Sequence, residues 1–99
     1  MIQHIILLKA HANTPDTAVD KIMEAFLACT QQLEGSAYMM YGPNASSKQD
    51  LSKGFNYGII LAFVDEHVKS AFIALKEHKE AIQLLKSEPI EDFLVFDIH

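Results

Sequence analysis

The sequence predicts an α+β domain: a four-stranded antiparallel sheet with both helices on one face, in the order β-α-β-β-α-β. Three observations predict it. Two long stretches with apolar residues at helical spacing alternate with four short runs rich in β-branched and aromatic residues. The joints between them carry Gly, Pro and Asn. The chain has 99 residues, 49% of them hydrophobic, which suits one domain over residues 1–99 with a core of its own.

Residues 2–9 (IQHIILLK) are a strand by composition. Thr14 is an N-cap residue and Pro15 fits the first helical position, where a missing N–H costs nothing. A helix then runs to about Leu33, with Val19, Ile22, Met23, Phe26, Leu27 and Leu33 on one stripe and Gly35 as terminator. Residues 37–41 (AYMMY) form a short strand ending at Gly42-Pro43. Residues 43–54 are polar and form a surface loop without chemistry of its own. Residues 55–64 (FNYGIILAFV) form the longest strand. Asp65 caps a helix over about 66–86, striped by Val68, Ala71, Phe72, Leu75, Ile82 and Leu85, with a break expected near Lys76–His78. Pro89 closes it, and residues 92–98 (DFLVFDI) are the last strand. This is the ferredoxin-like arrangement, in which the first and last strands are antiparallel neighbours.

An antiparallel sheet with one wet face should alternate apolar and polar residues, and these strands do not. Strand 1 puts Ile2, Ile6 and Leu8 on one face but Ile5 and Leu7 on the other. The last strand puts Phe93 and Val95 on one face, with Leu94, Phe96 and Ile98 opposite, and strand 3 adds Ile60, Ala62 and Val64 to that second face. Two helices cover one side only. The uncovered face spans about 400 Å² in plan, from strand rise and spacing. At roughly 25 cal/mol per Å² that is worth about 10 kcal/mol as an upper figure. The expected remedy is a homodimer in which each sheet covers the other, the alternative being burial by a different partner or a fused domain.

Other classes are excluded or disfavoured by composition. The net charge of −5 argues against a nucleic-acid partner. No apolar run approaches a membrane span, and no basic amphipathic stretch points to a membrane surface. The N-terminus lacks the basic and small-residue features of a signal peptide, so a cytoplasmic location is expected. Cys29 is the single cysteine and falls in a helical pattern, which reads as an inert, partly buried thiol. No metal-ligand spacing is present, and no cofactor is expected.

The candidate site is a set of three residues. His4 lies in an apolar strand on the face of Ile6 and Leu8; His78 lies at helical spacing from Phe72, Leu75 and Ile82. Both imidazoles therefore point between sheet and helices. Asp97 shares the face of Phe93 and Val95, and the antiparallel pairing of first and last strands brings it beside His4. A carboxylate on one ring nitrogen fixes the tautomer and leaves the other nitrogen free for acid–base work. The same pair would equally serve to satisfy a buried histidine. His11, His67 and His99 read as solvated, and Tyr38, Tyr41 and Tyr57 as core.

The ordered motifs Gln3-His4-Ile5-Ile6-Leu7-Leu8-Lys9, Tyr41-Gly42-Pro43-Asn44-Ala45-Ser46, Lys53-Gly54-Phe55 with Phe63, and Leu94-Val95-Phe96-Asp97 together resemble the stress-responsive dimeric α/β-barrel family over essentially the whole chain. The resemblance implies the ferredoxin-like fold and a homodimer. It matches His4 and Asp97 to the family's strand histidine and terminal aspartate. The family includes a plant polyketide cyclase that forms olivetolic acid by a cofactor-free aldol condensation through a Y-x-x-H-P-x-H segment. Here that segment reads Phe72-Ile73-Ala74-Leu75-Lys76-Glu77-His78. The last histidine is kept as His78; the tyrosine is replaced by Phe72, which has no hydroxyl to offer a carbonyl.

The function expected is the binding of a small apolar or aromatic metabolite in a pocket walled by Ile6, Leu8, Phe26, Ile59, Phe72 and Leu75. The alternative is a cofactor-independent lyase, cyclase or isomerase in which His78 and His4–Asp97 move protons beside a carbonyl. A monooxygenase-like role is a weaker third.

Overall fold

The computed structural model describes residues 1–48 and 50–99, and the backbone alone at residue 37. The elements run β1 (Ile2–Ala10), α1 (Asp16–Gln31), β2 (Ser36–Pro43), β3 (Tyr57–Phe63), α2 (Glu66–Ala74), α3 (Lys76–Leu85) and β4 (Ile90–Ile98). The four strands form one antiparallel sheet in the order β2-β3-β1-β4. This is the expected ferredoxin-like α+β architecture, with the second helix divided in two.

β1 alternates strictly: Ile2, His4, Ile6, Leu8 and Ala10 are buried, and the residues between them are not. The even positions pack under the helices. Across β3 they face Phe63, Leu61 and Ile59 in register, and these meet Val19, Ile22, Met23 and Phe26 of α1, Phe72 of α2 and Ala81 and Leu85 of α3. That layer is the core. The odd positions of β1 join Leu94, Phe96 and Ile98 of β4 and Met40 and Ile60 of the other strands on a face no helix covers. Phe96 is 59% exposed there and Met40 58%.

Boundaries differ from expectation in physically instructive ways. Pro15, not Thr14, occupies the N-cap position, because its backbone is extended (ψ 146°). Thr14 instead donates its hydroxyl to the carbonyl of His11. Leu27 is exposed and Cys29 takes its place in the core, donating Sγ–H to the carbonyl of Ala25 at 3.3 Å. The thiol is wholly rather than partly buried, and burial, with the nearby charges of Glu77 and Glu80, pushes it up to about 11. Gly35 lies beyond the end of α1 at φ +91°, where a Cβ would stand 2.8 Å from Val68 Cγ2. The helix break falls at Leu75, whose ψ of 143° interrupts the hydrogen-bond ladder one residue before the expected stretch. Tyr38 and Tyr41 are exposed rather than core, and the Tyr38 hydroxyl donates to Gln3 Oε1 at 2.9 Å.

The expected 43–54 loop is more organised than its composition suggests, although Gln49 lies outside the described residues. Asn44 folds it: its amide donates to Ser52 Oγ (2.8 Å) and the Phe55 carbonyl (2.9 Å), and its Oδ1 accepts from Ser46 N–H. The loop overhangs the helix-free face and, with Ile5, Leu7, Met40 and Ile60, encloses an open cavity of about 510 Å³.

Candidate functional site

His4 is placed by the alternation of β1, which turns every second side chain under the helices. Asp97 stands directly opposite it in the β1–β4 register, on the same face. The result is a hydrogen bond of 2.5 Å between His4 Nδ1 and Asp97 Oδ1, in the range of charge-assisted bonds. The ring is 5% exposed, and Phe63 and Phe72 flank it at centroid distances of 6.3 and 5.7 Å. Among the described residues Nε2 has no hydrogen-bond partner.

His78 is placed by the break at Leu75. Its backbone N–H bonds the Leu75 carbonyl at 3.1 Å, so α3 restarts on a new axis that carries the imidazole onto Phe72. The rings meet edge-on at 4.9 Å and 69°. Phe72 thus stands between two imidazoles, touching His4 on one side and His78 on the other. Burial, and after it the charge of His4, holds the His78 imidazole below the usual histidine range. The shift favours its neutral form.

Asp97 is held below the usual carboxylate range for opposing reasons. Burial pushes its carboxyl up, but hydrogen bonds from His4 and Lys69, together with their charges, outweigh burial. Lys69 was not singled out by sequence. It lies on α2 with Nζ 3.1 Å from Asp97 Oδ2 and 3.1 Å from Glu66 Oε1. The available signal was spacing: Lys69 is one turn before Phe72, and Glu66 one turn before Lys69. A lysine on the first half of an amphipathic helix ordinarily reads as solvated.

The structure brings His4 and His78 onto Phe72, with Asp97 bonded to His4, but the six expected pocket residues close on one another. Ile6, Leu8, Phe26, Ile59 and Phe72 are each 0% exposed, and Leu75 is half-buried. Period-2 and period-3.6 apolar patterns look alike whether the side chains wall a ligand or fill a core, which is why sequence did not separate the two. The cavity of about 510 Å³ on the opposite face shares only Ile59 with that set. Among the described residues no group of three or more His, Cys, Asp or Glu side chains is arranged to hold a metal, and no helix is long and apolar enough to cross a membrane.

The Stress responsive A/B Barrel Domain family matches residues 2–99. A search of curated proteins gives no match. Solved structures give several. A dimeric ferredoxin-like protein of unknown function from Jannaschia sp. CCS1 is 27% identical, with a TM-score of 0.78 over 99% of this chain and 97% of that one. A protein of Arabidopsis thaliana is 17% identical, with a TM-score of 0.84 over 100% and 94%. A hydroxynitrile lyase from Passiflora edulis is 13% identical, with a TM-score of 0.75 over 98% and 90%. The last two likenesses show a shared fold.

Proposed function

We propose that this chain, which belongs to the stress-responsive A/B barrel domain family, acts as a two-fold dimer that receives a small apolar or aromatic molecule at the His4–Asp97 and His78 constellation. The observation that carries the reading is the His4–Asp97 bond itself. A charge-assisted bond joins a buried imidazole to a partly exposed carboxylate, with a second imidazole across one phenyl ring, and a buried polar ring is costly unless it is partnered or used. Access comes from α2, which buries a single side chain, Phe72, and is joined to α3 through the non-helical Leu75. Swinging α2 outward on that joint draws Phe72 from between the imidazoles and opens the site.

The dimer follows from the helix-free face. Phe96, Met40, Ile98 and Leu94 present 59, 58, 49 and 39% of their surface there, and a second copy related by a two-fold axis covers it with a self-complementary patch. The Jannaschia relative is described as dimeric. Such a chain works in the cytoplasm without a nucleic-acid or membrane partner.

The test is NMR titration with small aromatic carbonyl compounds, benzaldehyde among them. Saturable shifts at the His4 and His78 imidazoles, weakened by His4→Ala and by His78→Ala, are expected. Shifts confined to Ile5, Leu7 and Met40 on the open face would overturn the reading.

A second reading, cofactor-free proton transfer at a carbon beside a carbonyl, is favoured by the neutral state of His78. Phe72 supplies no hydroxyl to the carbonyl oxygen, so the chemistry would rest on the imidazoles. Deuterium exchange at that carbon, lost in His78→Ala, reports it.

A further inference from the structure

The Lys69–Glu66 pair lies outside the apolar core. It lies at the rim, and its two members take no part in the apolar layer. Its geometry is nonetheless specific. Asp65 begins α2 by accepting the Val68 N–H on Oδ1 at 3.0 Å, which fixes the rotation of the first turn. That rotation carries Lys69 over the end of β4, and only 15% of the side chain is left exposed. Its ammonium meets Asp97 Oδ2, the oxygen His4 does not use. Glu66, on the same helix face, takes another of its protons at 3.1 Å.

We infer that Lys69 is a positioning residue for the His4–Asp97 pair: by holding Oδ2 it fixes the rotation of the carboxylate and keeps Oδ1 on His4 Nδ1. An aspartate has two equivalent oxygens and a freely turning carboxylate. With its side chain 35% exposed, Asp97 has water as a ready alternative partner. A second tether from a different element removes that freedom. An ionised carboxylate only accepts, so the His4 ring meets it with the N–H of Nδ1. The charged and titratable groups that face this point are Asp97 from β4, Lys69 and Glu66 from α2, and His78 from α3. The tether also couples the site to α2. When that helix swings away to admit a ligand, the same movement releases Asp97, so access and the orientation of the base change together.

The inference rests on the proposed role of His4, and its test separates the two. Nitrogen-15 NMR of the imidazoles in the ligand-free protein reads the His4 tautomer directly. In the native protein His4 shows a single Nδ1–H form. In Lys69→Met a second tautomer is resolved and the Asp97 carboxyl titrates at higher pH, while Lys69→Arg restores both signatures. Asp97→Asn calibrates the signal expected of a broken pair. A Lys69→Met protein that keeps one tautomer and an unmoved Asp97 midpoint overturns the inference, whatever its ligand binding. A Lys69→Met protein whose tautomer mixes, but whose affinity for benzaldehyde matches the native protein, upholds the inference and removes His4 from the binding function. Thermal unfolding measured alongside shows whether the variant is folded. If Lys69→Met does not fold, Glu66→Gln, which loosens the lysine without removing it, is expected to mix the tautomer in part; an unmixed tautomer there overturns the inference.

Discussion

Replacing Phe96 by glutamate should convert the protein to monomers while leaving each chain folded. Within one chain Phe96 points away from the helices and is 59% exposed, so the isolated fold should lose little, within roughly 0.5 kcal/mol for a surface substitution. In the proposed dimer the same side chain would lie under the second sheet. A phenylalanine offers roughly 200 Å², of which the exposed share is about 120 Å². At about 25 cal/mol per Å² its cover is worth about 3 kcal/mol. A two-fold axis repeats every substitution, so the dimer loses about 6 kcal/mol, close to ten-thousand-fold in Kd at 1.4 kcal/mol per decade. The buried carboxylate adds to that. Sedimentation equilibrium from about 1 to 100 μM measures it, with circular dichroism to check the fold. A Phe96→Glu protein that keeps the native dimer mass, or a native protein that is monomeric throughout, refutes the reasoning.

Acid should destabilise the fold through two identified groups. His78 titrates in the fold below its ordinary value of 6.5, and Asp97 below 3.8; in both cases the unfolded chain takes up protons first, so stability falls as pH drops below 6.5 and again below 3.8. Urea midpoints measured between pH 7.5 and 5 should decline less in His78→Gln, and an equal decline would exclude His78 as the cause. Phe72→Ala should cost about 3–5 kcal/mol of unfolding free energy, because the ring is wholly buried against Phe63, Phe26 and both imidazoles. A loss below about 1 kcal/mol by chemical denaturation would mean that the site is not packed as described.

Much of the fold was legible because it depends on spacing. The alternation of β1, the stripe of α1 and the capping Asp65 each follow from local pattern, and the His4–Asp97 contact follows from pairing the first and last strands. Lys69 was illegible for the opposite reason. Its spacing alone is that of a solvated helix residue, and only the approach of α2 to β4 brings its ammonium within 3.1 Å of Asp97. Asn44 is similar: a polar loop residue by composition, it organises the 44–56 segment through contacts made with Ser52 and Phe55.

The amino-acid order by itself determined the strand and helix sequence and the fact that both faces of the sheet are apolar, since each is a matter of residue period along one chain; the family came from a resemblance of ordered motifs, which the match over residues 2–99 bears out. Tertiary structure decided whether the side chains between sheet and helices wall a hollow or fill it, and that Phe72 separates two imidazoles. Packing volume is a property of several elements at once: Ile6, Phe26, Ile59 and Phe72 come from four of them, and no pattern within any one records how closely the other three approach.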